Sequence, residues 1–169
     1  NAPGTLDLAL GLGGTDRNDP ARNLADGGLG SVQVQDVAGL AIVTSVLGLN
    51  LLGCSLVAVP PGKQAFPFHN HRHNDELFVI LSGQGELRFG PARHPLREGD
   101  VVGCPAGGPT TAHAITNTGS TELRYLALSS QRTPEICDYP DSGKFGVFDA
   151  LAPSAPGQPP GNFHHFGRE

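Results

Sequence analysis

Methionine and tryptophan are missing from this 169-residue chain, an absence that no packing or chemical requirement explains. Lysine is nearly missing too: Lys63 and Lys144 are the only two, and the formal net charge is -5. A chain this poor in positive charge lacks the basic stripe that grips phosphate backbones, so no nucleic-acid partner is expected. No apolar run approaches the ~20 residues that a membrane-crossing helix needs. The opening Asn1-Ala-Pro-Gly does not read as a secretory signal. No membrane partner is therefore expected. Cysteine is scarce as well. Cys54, Cys104 and Cys137 cannot all pair, and no C-x-x-C spacing occurs. Reduced thiols and a cytoplasmic location are the simplest expectation.

Glycine and proline are abundant instead, 24 and 15 residues, nearly a quarter of the chain. That composition favours many turns and short strands over long helices. The length suits one domain with a substantial apolar core. Residues 1–31, rich in Gly, Asp and Asn, predict an irregular N-terminal arm. Residues 32–130 alternate strand and turn, with β-branched or apolar runs at 32–34, 41–46, 51–59, 77–81, 86–89, 101–102, 112–116 and 123–128. Turn residues such as Pro60-Pro61-Gly62, Ser82-Gly83, Gly90-Pro91 and Glu98-Gly99-Asp100 close most of these runs. About eight short strands of this kind predict an all-β, double-sheet jelly roll. Residues 131–169 form a C-terminal extension, turn-rich over 134–144, with one strand or helical turn over 145–151. It ends in a Pro/Gly-rich tail that includes His164-His165.

The chemistry is concentrated in four residues. His69 and His71 alternate on a strand, so both side chains share a face about 7 Å apart at the backbone. A bend after them would bring in Glu76, and His113 would arrive from a facing strand. Three imidazoles and a carboxylate suit one divalent transition metal, whether Mn, Fe, Co, Ni, Cu or Zn. His73 continues the alternation and is read as solvent-facing or behind the ligands. Asp75 is the alternative to Glu76.

The segment Gly62…His69-Asn-His71…Glu76…Gly83, followed by Gly99…Pro105-Ala-Gly107…His113…Asn117, resembles the two motifs of the cupin superfamily. The resemblance covers about residues 50–130. It implies a double-stranded β-helix with metal ligands at His69, His71, Glu76 and His113. The chain departs from the motifs twice. Six residues rather than five precede His69, and five rather than two separate Gly107 from His113. The stretch Tyr139-Pro-Asp-Ser-Gly-Lys144 resembles a C-terminal feature of a cupin group described as sugar-phosphate isomerases.

The resemblance implies a small-molecule ligand in the barrel mouth and a metal-dependent activity of the sugar-phosphate isomerase type. The same ligands would serve an Fe(II)-dependent dioxygenase, a non-catalytic sugar or small-ligand binder, or a structural metal. No general base stands out. Phe66, Phe68, Phe78 and Ile80 are candidates for the apolar wall. Arg88, Arg124 and Lys144 are candidates for holding a carboxylate or phosphate. Cys104 reads as a small core residue, and His94 as an exposed turn residue. Open jelly-roll edges need covering, which predicts a homodimer.

Overall fold

Alternation of buried and exposed side chains sets the strands of this all-β chain. The computed structural model describes Leu40–Ile42, residues 49–149 and Asn162–Gly167. The arm expected over 1–31, the strand expected over 32–34, most of the run at 41–46 and the Pro/Gly stretch at 152–161 lie outside the described residues.

The described strands are β1 (Leu40–Ile42), β2 (Leu52–Val59), β3 (Asn70–His71), β4 (Glu76–Ser82), β5 (Gln84–Phe89) and β6 (Ala92–Arg97). They continue with β7 (Val101–Cys104), β8 (His113–Thr116), β9 (Leu123–Ser130), β10 (Glu135–Tyr139), β11 (Lys144–Asp149) and β12 (Asn162–Gly167). They form antiparallel sheets in the orders β1-β2-β9-β4-β7, β6-β5-β8 and β12-β11-β10-β3. The first two enclose a core of Val57, Val59, Phe78, Ile80, Leu87, Leu96, Ile115, Leu123 and Tyr125. Glu76, Phe78 and Ile80 share one face of β4, so the strand that supplies core also delivers a carboxylate to the barrel interior.

The motif glycine and asparagine positions have structural reasons. Gly83 links β4 to β5 at a φ of +86°, and a Cβ there would lie 2.6 Å from the Glu122 carbonyl oxygen. Only glycine meets both conditions. Asn117 is fully buried. Its Nδ2 donates to the carbonyls of Val59 and Thr121 at 2.7 and 2.8 Å, and its Oδ1 accepts from the Gly119 amide at 2.9 Å. It thereby ties the turn after β8 to the end of β2.

Three sequence expectations change. Residues 92–97, including His94, form strand β6 rather than a turn, although His94 is exposed as expected. Pro95 hid this strand. It lacks an amide donor, and β6 tolerates it because it is the outer strand of its sheet. The turn-rich stretch at 134–144 contains strand β10, and the turn proper is confined to residues 140–143. The tail residues His164 and His165 lie in β12, paired with Val147 and Gly146 of β11. Residues 145–149, expected as strand or helical turn, are strand.

Candidate metal centre

His69 and His113 face each other across an isolated antiparallel bridge, with backbone bonds of 3.1 Å from the His69 amide and 2.7 Å from the His113 amide. His71 follows on β3 and Glu76 opens β4. The added residues before His113 are absorbed by a 3-10 turn at Pro109–Thr111, behind which Ala112 is completely buried. The insertion therefore leaves His113 inside the barrel.

The three imidazoles share one arrangement. Each Nε2 points at Glu76 Oε2, at 3.8 Å from His69, 3.4 Å from His71 and 2.7 Å from His113. Two Nδ1 atoms are engaged behind, His69 with the Pro67 carbonyl at 2.7 Å and His113 with the Thr111 carbonyl at 3.2 Å, while Cys137 Sγ lies over the His71 ring, 3.2 Å from Nδ1 and 3.9 Å from Nε2. In His69 and His113 an Nδ1–H donated backwards leaves Nε2 facing inward, the usual arrangement around a metal-bound histidine. Two donors each about 2.1 Å from one ion cannot lie more than about 4.2 Å apart. All three contacts to Glu76 meet that limit. The donor atoms of His69, His71 and Glu76 lie within 4.8 Å of one another, so a small inward swing of the rings closes the set. His113 joins through Glu76, since its ring centroid is 6.5 Å from that of His71. The residues present fit a divalent ion.

The walls are aromatic. Phe78 packs edge-on to His113 at 5.6 Å and to Tyr125 at 5.8 Å, forming the floor. Tyr139 stacks on His69 with centroids 6.1 Å apart, and Phe66 lies 6.3 Å from the same ring. Burial also sets the charges of the metal-free centre. It pushes His69 down to about 4, against the attraction of Glu76, so this ring is neutral near pH 7. Burial acts on His113 in the same sense, but its hydrogen bonds to Cys104 and Glu76 outweigh it and raise the ring to about 10. Glu76 is pushed up by burial and held down more strongly by its bond to His113 and by the three nearby imidazoles.

These shifts carry a sign. Stability from the raised His113 is complete below its ordinary 6.5 and is lost as pH rises through about 10. Stability from the depressed Glu76 is present above the ordinary carboxylate range and is lost on acidification. A metal must displace the His113 proton. Affinity is therefore expected to rise with pH, by up to about tenfold per unit between pH 7 and 9. Calorimetry in buffers of different ionisation enthalpy should detect one proton released per ion bound. An affinity independent of pH would contradict this pairing.

The other predicted residues separate. His73 is exposed, and its amide is held by Glu135 Oε1 at 3.3 Å. Asp75 is exposed and accepts from the Ala106 amide at 2.8 Å. Arg88 stacks its guanidinium 3.5 Å above the Phe68 ring and pairs with Asp141 at 2.6 and 3.0 Å, holding that carboxyl below its usual range. It alternates with core residues Leu87 and Phe89 and pairs opposite Ala114, so it leaves β5 on the outer face and is not brought to the histidines. Lys144 is exposed at the start of β11. Arg124 alternates with buried Leu123 and Tyr125, leaves β9 on the outer face and bonds Glu122 at 2.7 Å. It is not brought to the histidines.

Sequence reasoning gave no site role to Glu135 or Cys137. Both are buried on β10, and Glu135 Oε1 lies 4.0 Å from His71 Nδ1. Burial pushes the Cys137 thiol up to about 12, helped by Glu135, Glu76 and Asp138. The period-two run Glu135-Ile-Cys137-Asp-Tyr139 carried the signal, masked by Pro134 and Pro140.

Residues 55–129 match the family model of the cupin domain, and the histidines and glutamate of the two motifs are brought together there. That stretch is a cupin domain. This cupin superimposes with a TM-score of 0.65 on a cupin-superfamily sugar phosphate isomerase from Silicibacter pomeroyi, at 25% identity over 76% of this chain and 75% of the other. It superimposes with a TM-score of 0.62 on a protein provisionally described as a sugar phosphate isomerase from Acidithiobacillus ferrooxidans. That match has 26% identity over 75% and 74% of the two chains. An oxalate-binding protein of Thermotoga maritima is 34% identical over 70 residues, 41% of this cupin and 54% of the relative. The match thus spans about half the length of that curated relative. Among the described residues no helix is long and apolar enough to cross a membrane.

Proposed function

We propose that this cupin binds one divalent transition metal through His69, His71, Glu76 and His113 and acts on a small phosphorylated sugar as an isomerase. The observation that carries the proposal is the common aim of three Nε2 atoms at Glu76 Oε2, with Nδ1 of His69 and His113 tied behind. A bound divalent ion would supply Lewis-acid stabilisation of charge developing on a substrate oxygen. Phe78 and Tyr125 keep water from the floor of the site, and Tyr139 and Phe66 wall its His69 side. The two sugar phosphate isomerase-like structures cover three quarters of the chain and support the substrate class.

Lys144 is the proposed phosphate contact, because it is the direct partner of Tyr139, whose ring stacks on His69, and the two share a face. Removing a charge-assisted hydrogen bond costs about 1.5–3 kcal/mol. Lys144→Ala is therefore expected to weaken sugar-phosphate binding by at least about tenfold. Arg88→Ala and Arg124→Ala, on outer faces, should leave it unchanged. Equal affinity of the Lys144 variant and the wild type in a calorimetric titration would exclude Lys144 as the phosphate contact.

The oxalate-binding relative favours a second reading, a non-catalytic binder of a small chelating acid. A screen of sugar phosphates and dicarboxylates against the metal-loaded protein separates the two. Isomerisation of any sugar phosphate supports the first reading. Tight dicarboxylate binding without turnover supports the second. The expected homodimer would cover exposed Leu77 and Val101 on the five-stranded sheet.

A further inference from the structure

The outer face of the five-stranded sheet is apolar where a solvent face would be polar. Direct cross-strand partners build two rows across it. Gly103, Leu77, Leu128 and Cys54 form one, and Val101, Val79, Leu126 and Leu56 form the other, with Ala41 of β1 beyond Leu56. They alternate along their strands with inward residues such as Phe78 and Tyr125, so they point away from the metal centre. None of them is charged. Exposure climbs across the second row: Leu56 is 1% exposed, Leu126 and Val79 are half-buried, and Val101 is 62% exposed. In the first row Leu77 is 40% exposed, and a Cβ on Gly103 would meet nothing within 4 Å. A groove of about 570 Å³, lined in part by Leu52, Leu77, Leu128 and Pro105, opens beside it. The uncovered end of this apolar face is therefore at β7, the edge farthest from β1.

The sequence holds a strip of matching character. Leu6, Leu8, Leu10 and Leu12 alternate with Asp7, Ala9 and Gly11, a run that lies outside the described residues. In extended form such a run presents four leucines on one face over about 20 Å, enough to cross the ~14 Å from β7 to β2. The stretch 13–39 joins it to β1, and a chain of that length reaches on the order of 30 Å even as a random coil.

We propose that residues 6–12 of one copy cover the outer face of the five-stranded sheet in a second copy, with the four leucines against Leu77, Leu128 and Val101. The proposal rests on the expected homodimer and names its contact, and it makes no use of the metal. A second copy is the occupant because the exposed residues lie at the edge farthest from the strand that residues 1–39 lead into. Each copy then gives one strip and receives one, so a single contact is made twice about a two-fold axis. The receiving rows are uncharged, and the one charge of the strip, Asp7, alternates away from the leucines. Two chains of net charge -5 thus meet there without opposing like charges.

The test is the mass of the full chain over a range of micromolar concentrations, by sedimentation equilibrium. The wild type should be a dimer. Leu8→Asp/Leu10→Asp in the strip and Leu77→Asp on the face should each be monomeric, because each leucine withheld from burial costs roughly tenfold or more in affinity. Circular dichroism checks that each variant is folded, and Val101→Asp, at a more exposed position, replaces Leu77→Asp if that variant is not. A mixture of the strip variant and the face variant should form a heterodimer weaker than the wild type, since the intact strip of one fits the intact face of the other. A dimeric strip variant would overturn the contact and leave the homodimer standing. Variants that stay monomeric when mixed would overturn it as well, and a monomeric wild type would contradict both the contact and the homodimer.

Discussion

His71→Ala is expected to lower divalent-metal affinity by more than about 100-fold, beyond the 10- to 100-fold that loss of an outer partner costs. The ring contributes one of three Nε2 atoms converging on Glu76 Oε2 and packs against buried Cys137 and Glu135. Its removal leaves His69 and Glu76 3.8 Å apart and His113 bonded to Glu76, a set with one donor fewer. The fold should persist, because His71 is only half-buried and its backbone pairing with Cys137 does not depend on the ring. Chelator competition measures the affinity, and circular dichroism checks the fold. Retained wild-type affinity would mean that the ligand pair is misassigned, with His73 the next candidate.

Glu135→Ala is expected to cost about 3 kcal/mol of stability in the metal-free chain, because buried donors left without an acceptor cost about 1–3 kcal/mol each. The Glu135 carboxylate accepts from the amides of Arg72 and Ile136, both at 2.9 Å, from that of His73 at 3.3 Å, and from Asn74 Nδ2. It is only 4% exposed, so water cannot readily replace it. These donors lie along the bend between His71 and Glu76, and metal affinity should fall along with stability. The exposed pair of Arg93 with Glu86 provides the contrast: Glu86→Ala should cost less than about 1 kcal/mol. Urea unfolding of both variants checks the pair of expectations. A loss below about 1 kcal/mol for Glu135→Ala would show that the bend holds itself without β10.

The sequence carried most of the barrel. The strands at 52–59, 76–82, 84–89 and 123–130 were legible because one face of each is apolar and glycine-rich turns punctuate them. The grouping of His69, His71, Glu76 and His113 was expected from their resemblance to the two cupin motifs, and their convergence follows from the register that the turns impose. What the sequence obscured is the sheet around β3. Strand β10 is five residues long between two prolines, and its inward residues are Glu135, Cys137 and Tyr139 rather than an apolar set. A hydrophobic-periodicity reading passes over such a strand, because its pattern serves polar neighbours and not a core. Strand β6 was hidden for a different reason, its single proline. Arg88 and Arg124 show the limit of residue type as a guide: their charge suggested a ligand clamp, and strand alternation turns both to outer faces.

Whether His69, His71, Glu76 and His113 hold one metal ion is decided by elemental analysis using plasma mass spectrometry, after equilibration with Mn(II) and Co(II) at pH 8 and removal of excess ion. About one ion per chain is expected, falling below about a tenth in His71→Ala. A folded wild-type chain carrying less than about a tenth of an ion, with all four side chains intact, would contradict it.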